Sequence, residues 1–304
     1  LKFTMPDRII IVCFESEDEV LQWKDSVTSI LKIQLESQPK RKSTSLNENP
    51  SRIRFGSFIY SNHHEYEGWF WNGLKQGSGK LKFYNCIYEG NFVSDTMCGS
   101  GKIIYPTGEM YTGQWENGLQ NGTGTYGSPL GELYDGEWIN GKKQGKGKYN
   151  YNNGDSYNGE WISDLPHGNG KFIYSSGKRY NGGWIKGQRS GHGNYDLGNG
   201  DSYEGEWLND KMHGIGTFVE KDGSYYEGSF VNGYYEGTGT KIFKDGRKYS
   251  GTWKENKPNG NGIFNSAVGW ISSIEGEWLN GYIHGKNIIQ FANGDKYTGF
   301  IKDN

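Results

Sequence analysis

Residues 203–218 carry the ingredients of catalysis. Glu204 and Glu206 are two carboxylates that would suit general acid and base work, and His213 would suit proton transfer or metal ligation. Gly214 and Gly216 form a Gly-x-Gly pair of the kind that cradles phosphate. Each reading has a geometric requirement. An acid and base pair needs two carboxylates in different surroundings converging on one cleft. A metal needs its ligands within a few ångströms of one ion. A dinucleotide loop needs a third glycine and a following helix.

The rest of the chain answers these requirements by repeating the stretch. Acidic residues recur as Asp135 and Glu137, Glu160, Glu227, Glu275 and Glu277, which describes a ladder along a solvated face. His167, His213 and His284 hold the same place in their units, and two units separate the first two, too far to share an ion. The Gly-x-Gly pairs run into further strand patterns instead of helices. Cys13, Cys86 and Cys98 show neither a disulfide framework nor Cys-x-x-Cys metal spacing and read as thiols of a reducing compartment. No catalytic, cofactor or metal site is expected from the sequence.

Composition agrees. The 304 residues include 49 glycines against 4 methionines, and the apolar content sits in 22 tyrosines, 14 phenylalanines and 11 tryptophans. That balance favours many short strands with tight turns over a leucine-rich helical core. A formal net charge of -2 leaves no basic field to gather nucleic acid. The longest apolar run, residues 9–14, is far too short to cross a bilayer, and no signal peptide is visible. The chain opens on Leu1 rather than methionine, which points to a segment of something longer.

The elements that carry these residues follow from the period. Tyr-x-Gly starts at Tyr66, Tyr88, Tyr111, Tyr134, Tyr157, Tyr180, Tyr203, Tyr226 and Tyr249, returns as Ile274, and starts again at Tyr297. The steps are 22, then 23 seven times, then 25, then 23. Counting the tyrosine as position 0, Trp or Phe stands at position 4, glycines at 11 and 13, and another glycine at position 20 in nearly every unit. Only the Ile274 unit breaks the glycine pair, with Asn287 at position 13.

Residues at 0, 2 and 4 share one face of a strand, as do 11, 13 and 15 on the next. Pairing 4 with 11 and 0 with 15 sets tyrosine against an aromatic and Trp across a glycine. The odd period then requires a second turn of three residues, at positions 18 to 20, whose glycine adopts the left-handed region.

This pattern resembles the MORN repeat, whose Tyr-x-Gly-x-Trp followed by Gly-x-Gly appears here as Tyr203, Gly205, Trp207, Gly214 and Gly216. The resemblance implies an elongated, twisted antiparallel β-meander of about ten hairpins over residues 53–304, serving in scaffolding, self-association or attachment to partners or membranes. Two strands per unit would advance about 10 Å. With no second layer in the sequence, the aromatic face is either largely satisfied by the stacking of its own rings or is a candidate surface for a partner or second copy. It comprises Tyr111, Trp115, Tyr134, Trp138, Tyr157, Trp161, Tyr180, Trp184, Tyr203, Trp207, Tyr226, Phe230, Tyr249 and Trp253.

Ahead of the repeats, residues 1–5 and 8–14 read as strands. Ser16 to Glu19 reads as a capping box, and Val20, Trp23, Val27, Ile30 and Leu31 mark one face of a helix. Residues 1–37 resemble the closing third of a pleckstrin homology domain, and residues 38–52 read as a flexible linker. Lys40, Arg41 and Lys42 within that linker are a candidate contact for anionic lipid. Together with the repeats this order resembles alsin-type guanine nucleotide exchange factors. The resemblance implies a cytoplasmic protein peripheral to endosomal or plasma membrane, a small GTPase engaged through domains outside this segment, and a protein partner or second copy on the repeats. A MORN-bearing lipid kinase or methyltransferase is the alternative parent.

Overall fold

Strand alternation and tight turns govern every element of the computed structural model, which describes the backbone of residues 2–5 and 8–11 and residues 53–302 in full. Strands β1 (Lys2–Met5) and β2 (Arg8–Ile11) form an antiparallel hairpin with Lys2 opposite Ile11 and Met5 opposite Arg8. The expected helix with Trp23 and the linker with Lys40, Arg41 and Lys42 lie outside the described residues.

The chain divides into two compact units, residues 1–143 and 144–304. The first holds β3 (Arg54–Ile59), β4 (Glu65–Trp71), β5 (Leu74–Phe83), β6 (Cys86–Val93), β7 (Thr96–Ile104), β8 (Met110–Glu116), β9 (Leu119–Gly127) and β10 (Leu133–Ile139). Each is antiparallel to the next in sequence. The second unit begins within β11 (Lys142–Asn150) and continues through β12 (Ser156–Ile162), β13 (Leu165–Ile173), β14 (Arg179–Ile185), β15 (Gln188–Asp196), β16 (Ser202–Leu208) and β17 (Lys211–Val219). It closes with β18 (Tyr225–Val231), β19 (Tyr234–Ile242), β20 (Lys248–Lys254), β21 (Lys257–Asn265), β22 (Ile271–Leu279), β23 (Tyr282–Phe291) and β24 (Lys296–Ile301), again a simple antiparallel meander.

Two turn types alternate. Within a repeat the strands join through two residues that both have positive φ, such as Asn209 at 49° and Asp210 at 66°. This primed turn matches the strand twist and favours Asn, Asp and Gly. Between repeats the expected three-residue turn is present. Around Asn152-Asn153-Gly154, the Gly154 amide donates to Tyr151 O at 3.1 Å and Gly154 has φ of 86°. The exceptions in spacing are exceptions in this turn. Tyr84 and Asn85 form a two-residue primed turn, with Phe83 paired to Cys86, which shortens the first step to 22. The turn closed by Ser266 N donating to Ser272 O is two residues longer and gives the step of 25.

The register corrects one expectation. Tyr203 does lie opposite Phe218 and Gly205 opposite Gly216, but Trp207 lies opposite Met212, not opposite Gly214. Gly214 and Ile215 are skipped in a bulge, and Gly214 takes φ of 59°, a conformation glycine adopts without strain. The Trp-against-glycine pairing occurs instead between repeats, where Gly191 faces Trp207 and Gly214 faces Phe230. His213 is accordingly a strand residue opposite Glu206.

Candidate functional site

The residues that looked catalytic are engaged in the bulges. Glu160 accepts a hydrogen bond from the Asn169 amide at 3.1 Å, and Gln114 accepts one from the Thr123 amide at 3.2 Å. A Cβ on Gly214 would run into the Glu206 carboxylate, which therefore lies over the bulge glycine. Position 3 thus serves amides that the skipped register would strand. Sequence reasoning placed these carboxylates on a merely solvated ladder. Their regular distance from the bulge glycine was the available signal. Among the described residues no group of three or more His, Cys, Asp or Glu is placed to hold a metal. Burial pushes the Cys98 thiol up, away from the reactive thiolate.

The fourteen rings of the candidate aromatic surface are buried. Their burial comes from one another. Tyr203 stands edge-on to Trp207 at 5.3 Å, and Tyr180 of the preceding repeat meets the same indole at 5.3 Å. The series runs on through Tyr203 with Phe230, Tyr226 with Phe230, and Tyr226 with Trp253. In the first unit Tyr88, Trp115, Tyr111 and Trp138 alternate in the same way. Edge-to-face contact suits the ring quadrupoles.

Polar tips are satisfied too. Tyr203 Oη donates to Glu206 O at 2.9 Å, and Trp207 Nε1 donates to Gly193 O at 3.2 Å. Trp115, Trp138, Trp161, Trp184 and Trp253 reach the matching glycine of the preceding repeat. Gly205 and Gly216 lie directly beneath the Tyr203 ring, since a Cβ on either would collide with it. Gly205 and Gly216 therefore seat the tyrosine of their own repeat. Burial holds Tyr66, Tyr111 and Tyr249 up to about 12, so these phenols stay neutral donors.

What remains accessible on this face is the rank of side chains at positions 9, 15 and 17. In the second unit they enclose a groove of about 730 Å³, lined among others by Met212, Phe218, Tyr235, Phe243, Pro258, Phe264 and Trp278. Three departures from the repeat open it. Position 15, an aromatic in the neighbouring units, is Lys241, and position 0 is Ile274 in place of tyrosine. Position 9 of one repeat is Tyr235, stacked on Tyr226 with centroids 3.7 Å apart and planes 7° from parallel.

Lys241 is buried and paired to Glu220, and its Nζ lies 5.7 Å from the centre of the Tyr235 ring. Burial, and then the Glu220 carboxylate, raise the Tyr235 phenol, so it stays neutral. Arg189 fills the matching place two repeats earlier, its guanidinium 4.3 Å over Trp207 and its Nε 3.0 Å from Asp210. The groove offers apolar walls, a phenol and one ion pair, which is recognition chemistry with no activated nucleophile. Lys241 was missed in the sequence, although a lysine at an aromatic position was visible there.

Comparison with known proteins bears on the whole array. A family model described as MORN repeat matches residues 66–85, 88–110, 111–129, 134–156, 157–179, 180–202, 203–225, 226–246, 249–270 and 275–296, well over half of the chain. Among solved structures, the TCP10 domain of Danio rerio CPAP is similar at 10% identity and a TM-score of 0.37, over 65% of this chain and 94% of that one. The TCP domain of Drosophila melanogaster SAS-4 (dCPAP), in complex with a proline-rich motif of Ana2 (dSTIL), is similar at 15% identity and a TM-score of 0.29, over 54% of this chain and 99% of that one. No curated protein matches the chain.

Proposed function

The chain belongs to the MORN repeat family, and from that premise we propose that it is a non-catalytic docking module whose second unit holds an extended segment of a partner protein. The groove around Tyr235 and Lys241 carries this reading. It is the place where the ring ladder is interrupted, so that apolar surface stays accessible instead of being used up internally. An extended segment would set apolar side chains against Phe243, Phe264 and Trp278, with the Lys241 and Glu220 pair fixing its polar groups.

A photo-crosslinking residue in place of Phe243 tests the proposal in cells. A discrete partner should be captured, and Lys241→Met together with Tyr235→Ala should abolish capture in a chain that remains folded. Capture of nothing, or capture indifferent to both substitutions, refutes it.

The setting we infer from residues 1–42 is a small-GTPase exchange factor in the cytoplasm, peripheral to endosomal or plasma membrane. The antiparallel pairing of β1 with β2 is compatible with a pleckstrin homology ending. Flotation with vesicles containing phosphatidylserine tests the membrane part. Retention that is insensitive to salt, or to charge reversal at Lys40, Arg41 and Lys42, argues against lipid contact through this run.

A further inference from the structure

One strand position of the second unit leaves apolar side chains in solvent repeat after repeat. Trp161, Trp184, Trp207 and Phe230 are buried in the ring ladder, so strand alternation turns the next residue, position 5, to the opposite face. There stand Ile162, Ile185, Leu208 and Val231, each between 41% and 53% exposed. Position 8 pairs with position 5 across the hairpin and widens the row at both ends, where Leu165 faces Ile162 and Tyr234 faces Val231. Leu165 also reaches toward the next repeat, since a Cβ on Gly187 would lie 3.8 Å from its Cδ2. The six side chains bare an apolar stripe on the order of 500 Å², a size that marks interaction sites on protein surfaces.

Strand propensity does not require these residues. Positions 1 and 3 share the strand and the face, yet they hold Asn158 and Glu160, Glu204 and Glu206, or Glu227 and Ser229. The apolar choice is confined to the row beside the hairpin turns. Its two flanks differ in sign. On the turn side the exposed Lys186 and Lys211 are positive, and on the sheet side the exposed Glu160 and Glu206 are negative.

Two conditions limit what can lie there. The backbone groups beneath the stripe are spent in strand pairing, so an occupant must satisfy its own amides and carbonyls. An α-helix does so, and an extended chain does not. The second condition is spacing. Successive repeats advance about 10 Å, and seven residues of α-helix rise about 10.5 Å. An apolar residue recurring every seven positions therefore meets Ile162, Ile185, Leu208 and Val231 in turn. A polyproline helix keeps a similar step but is received between aromatic rings, of which the stripe holds one.

We propose that this stripe binds one amphipathic α-helix of a partner protein, about 22 residues long, with its apolar seam against positions 5. Acidic residues on one flank of the helix lie over Lys186 and Lys211, and basic residues on the other lie over Glu160 and Glu206. The site is on the opposite face of the sheet from the groove and stands or falls separately.

Photo-crosslinking residues placed singly at Ile162, Ile185, Leu208 and Val231 of the full chain in its native cells test it. Mass spectrometry reads which partner residue each site joins. All four positions are exposed, and circular dichroism checks that each chain stays folded. The four sites should join one segment of one protein, moving along it by about seven residues per repeat. Charge reversal by Lys186→Glu with Lys211→Glu should lower the yield several-fold. Steps of about three residues would mean an extended or polyproline segment and overturn the proposal. So would joining to lipid, to a second copy of this chain or to no polypeptide, or a yield indifferent to the charge reversal.

Discussion

The repeats opened by Tyr203 and by Ile274 meet one structural demand from opposite strands. In the first, the Tyr203 hydroxyl on β16 approaches the carbonyls of Glu206 at 2.9 Å and His213 at 3.4 Å, and Gly216 beneath the ring is bare. In the second the tyrosine is Ile274, and the glycine of β23 is Asn287, which is 1% exposed. The Asn287 side-chain amide donates to Glu277 O at 3.3 Å and to His284 O, the same two positions of the repeat. A large donor lying over a glycine has been exchanged for a smaller apolar residue two positions along the rung from a donor, since Asn287 faces Gly276 as Gly216 faces Gly205. What the fold conserves within this molecule is a donor over two bulge carbonyls and a constant volume across the rung, with the residue types secondary.

The comparison can be broken most forcefully at the glycine. Gly216→Val builds a branched side chain into the Tyr203 ring, and a loss of about 3 kcal/mol is expected from the urea midpoint. Retained stability would mean that the cradle is looser than it looks.

The exchange itself is tested by a cycle. Ile274→Tyr alone overfills a rung already occupied by Asn287 and should cost about 2 kcal/mol. Adding Asn287→Gly should recover most of that loss, whereas Asn287→Gly alone is destabilising. Strict additivity in thermal or urea unfolding would sever the link between the two positions.

Removing a single donor has smaller effects. Asn287→Ala leaves carbonyls buried without a partner and should cost about 2 kcal/mol, against about 1 kcal/mol for Tyr203→Phe, where the ring still fills its seat. The reverse order in denaturant melts would assign the dominant role to the hydroxyl.

Alkali separates the two repeats last. A phenol whose folded value lies above the unfolded value of about 10 contributes its full stability below pH 10 and loses it as pH rises toward the folded value. Tyr249, held up to about 12, gives up about 1.4 kcal/mol per pH unit across that window. The Ile274 and Asn287 rung has no phenol at that place. The double variant Ile274→Tyr with Asn287→Gly should therefore unfold at a lower pH than its parent by circular dichroism, and an unchanged alkaline midpoint would count against the assignment.

Much of this was legible as spacing. The period, the three-residue turn and its left-handed glycine, and tyrosine opposite an aromatic all follow from alternation and parity. The bulge was not legible, because skipping Gly214 and Ile215 leaves the parity of the strand unchanged. Only the side chain at position 3, such as Glu160 on the Asn169 amide, shows why the skip is tolerated. Burial of the rings was left open for a related reason. A single sheet has no second layer to cover its aromatic face, and the cover comes from each indole leaning onto the repeat before it. The groove needed the reverse observation, that Lys241 interrupts a column of rings, and a lone lysine in a polar sequence draws no notice.

The indole hydrogen bond also has a direction. Trp207 donates to Gly193, Trp184 to Gly170, and Trp253 to Gly239, each time toward the N-terminus. During synthesis the acceptor has therefore always left the ribosome before the donor. Each new hairpin finds its seat already built, and the array can close behind the ribosome one repeat at a time, without waiting for sequence still to be translated.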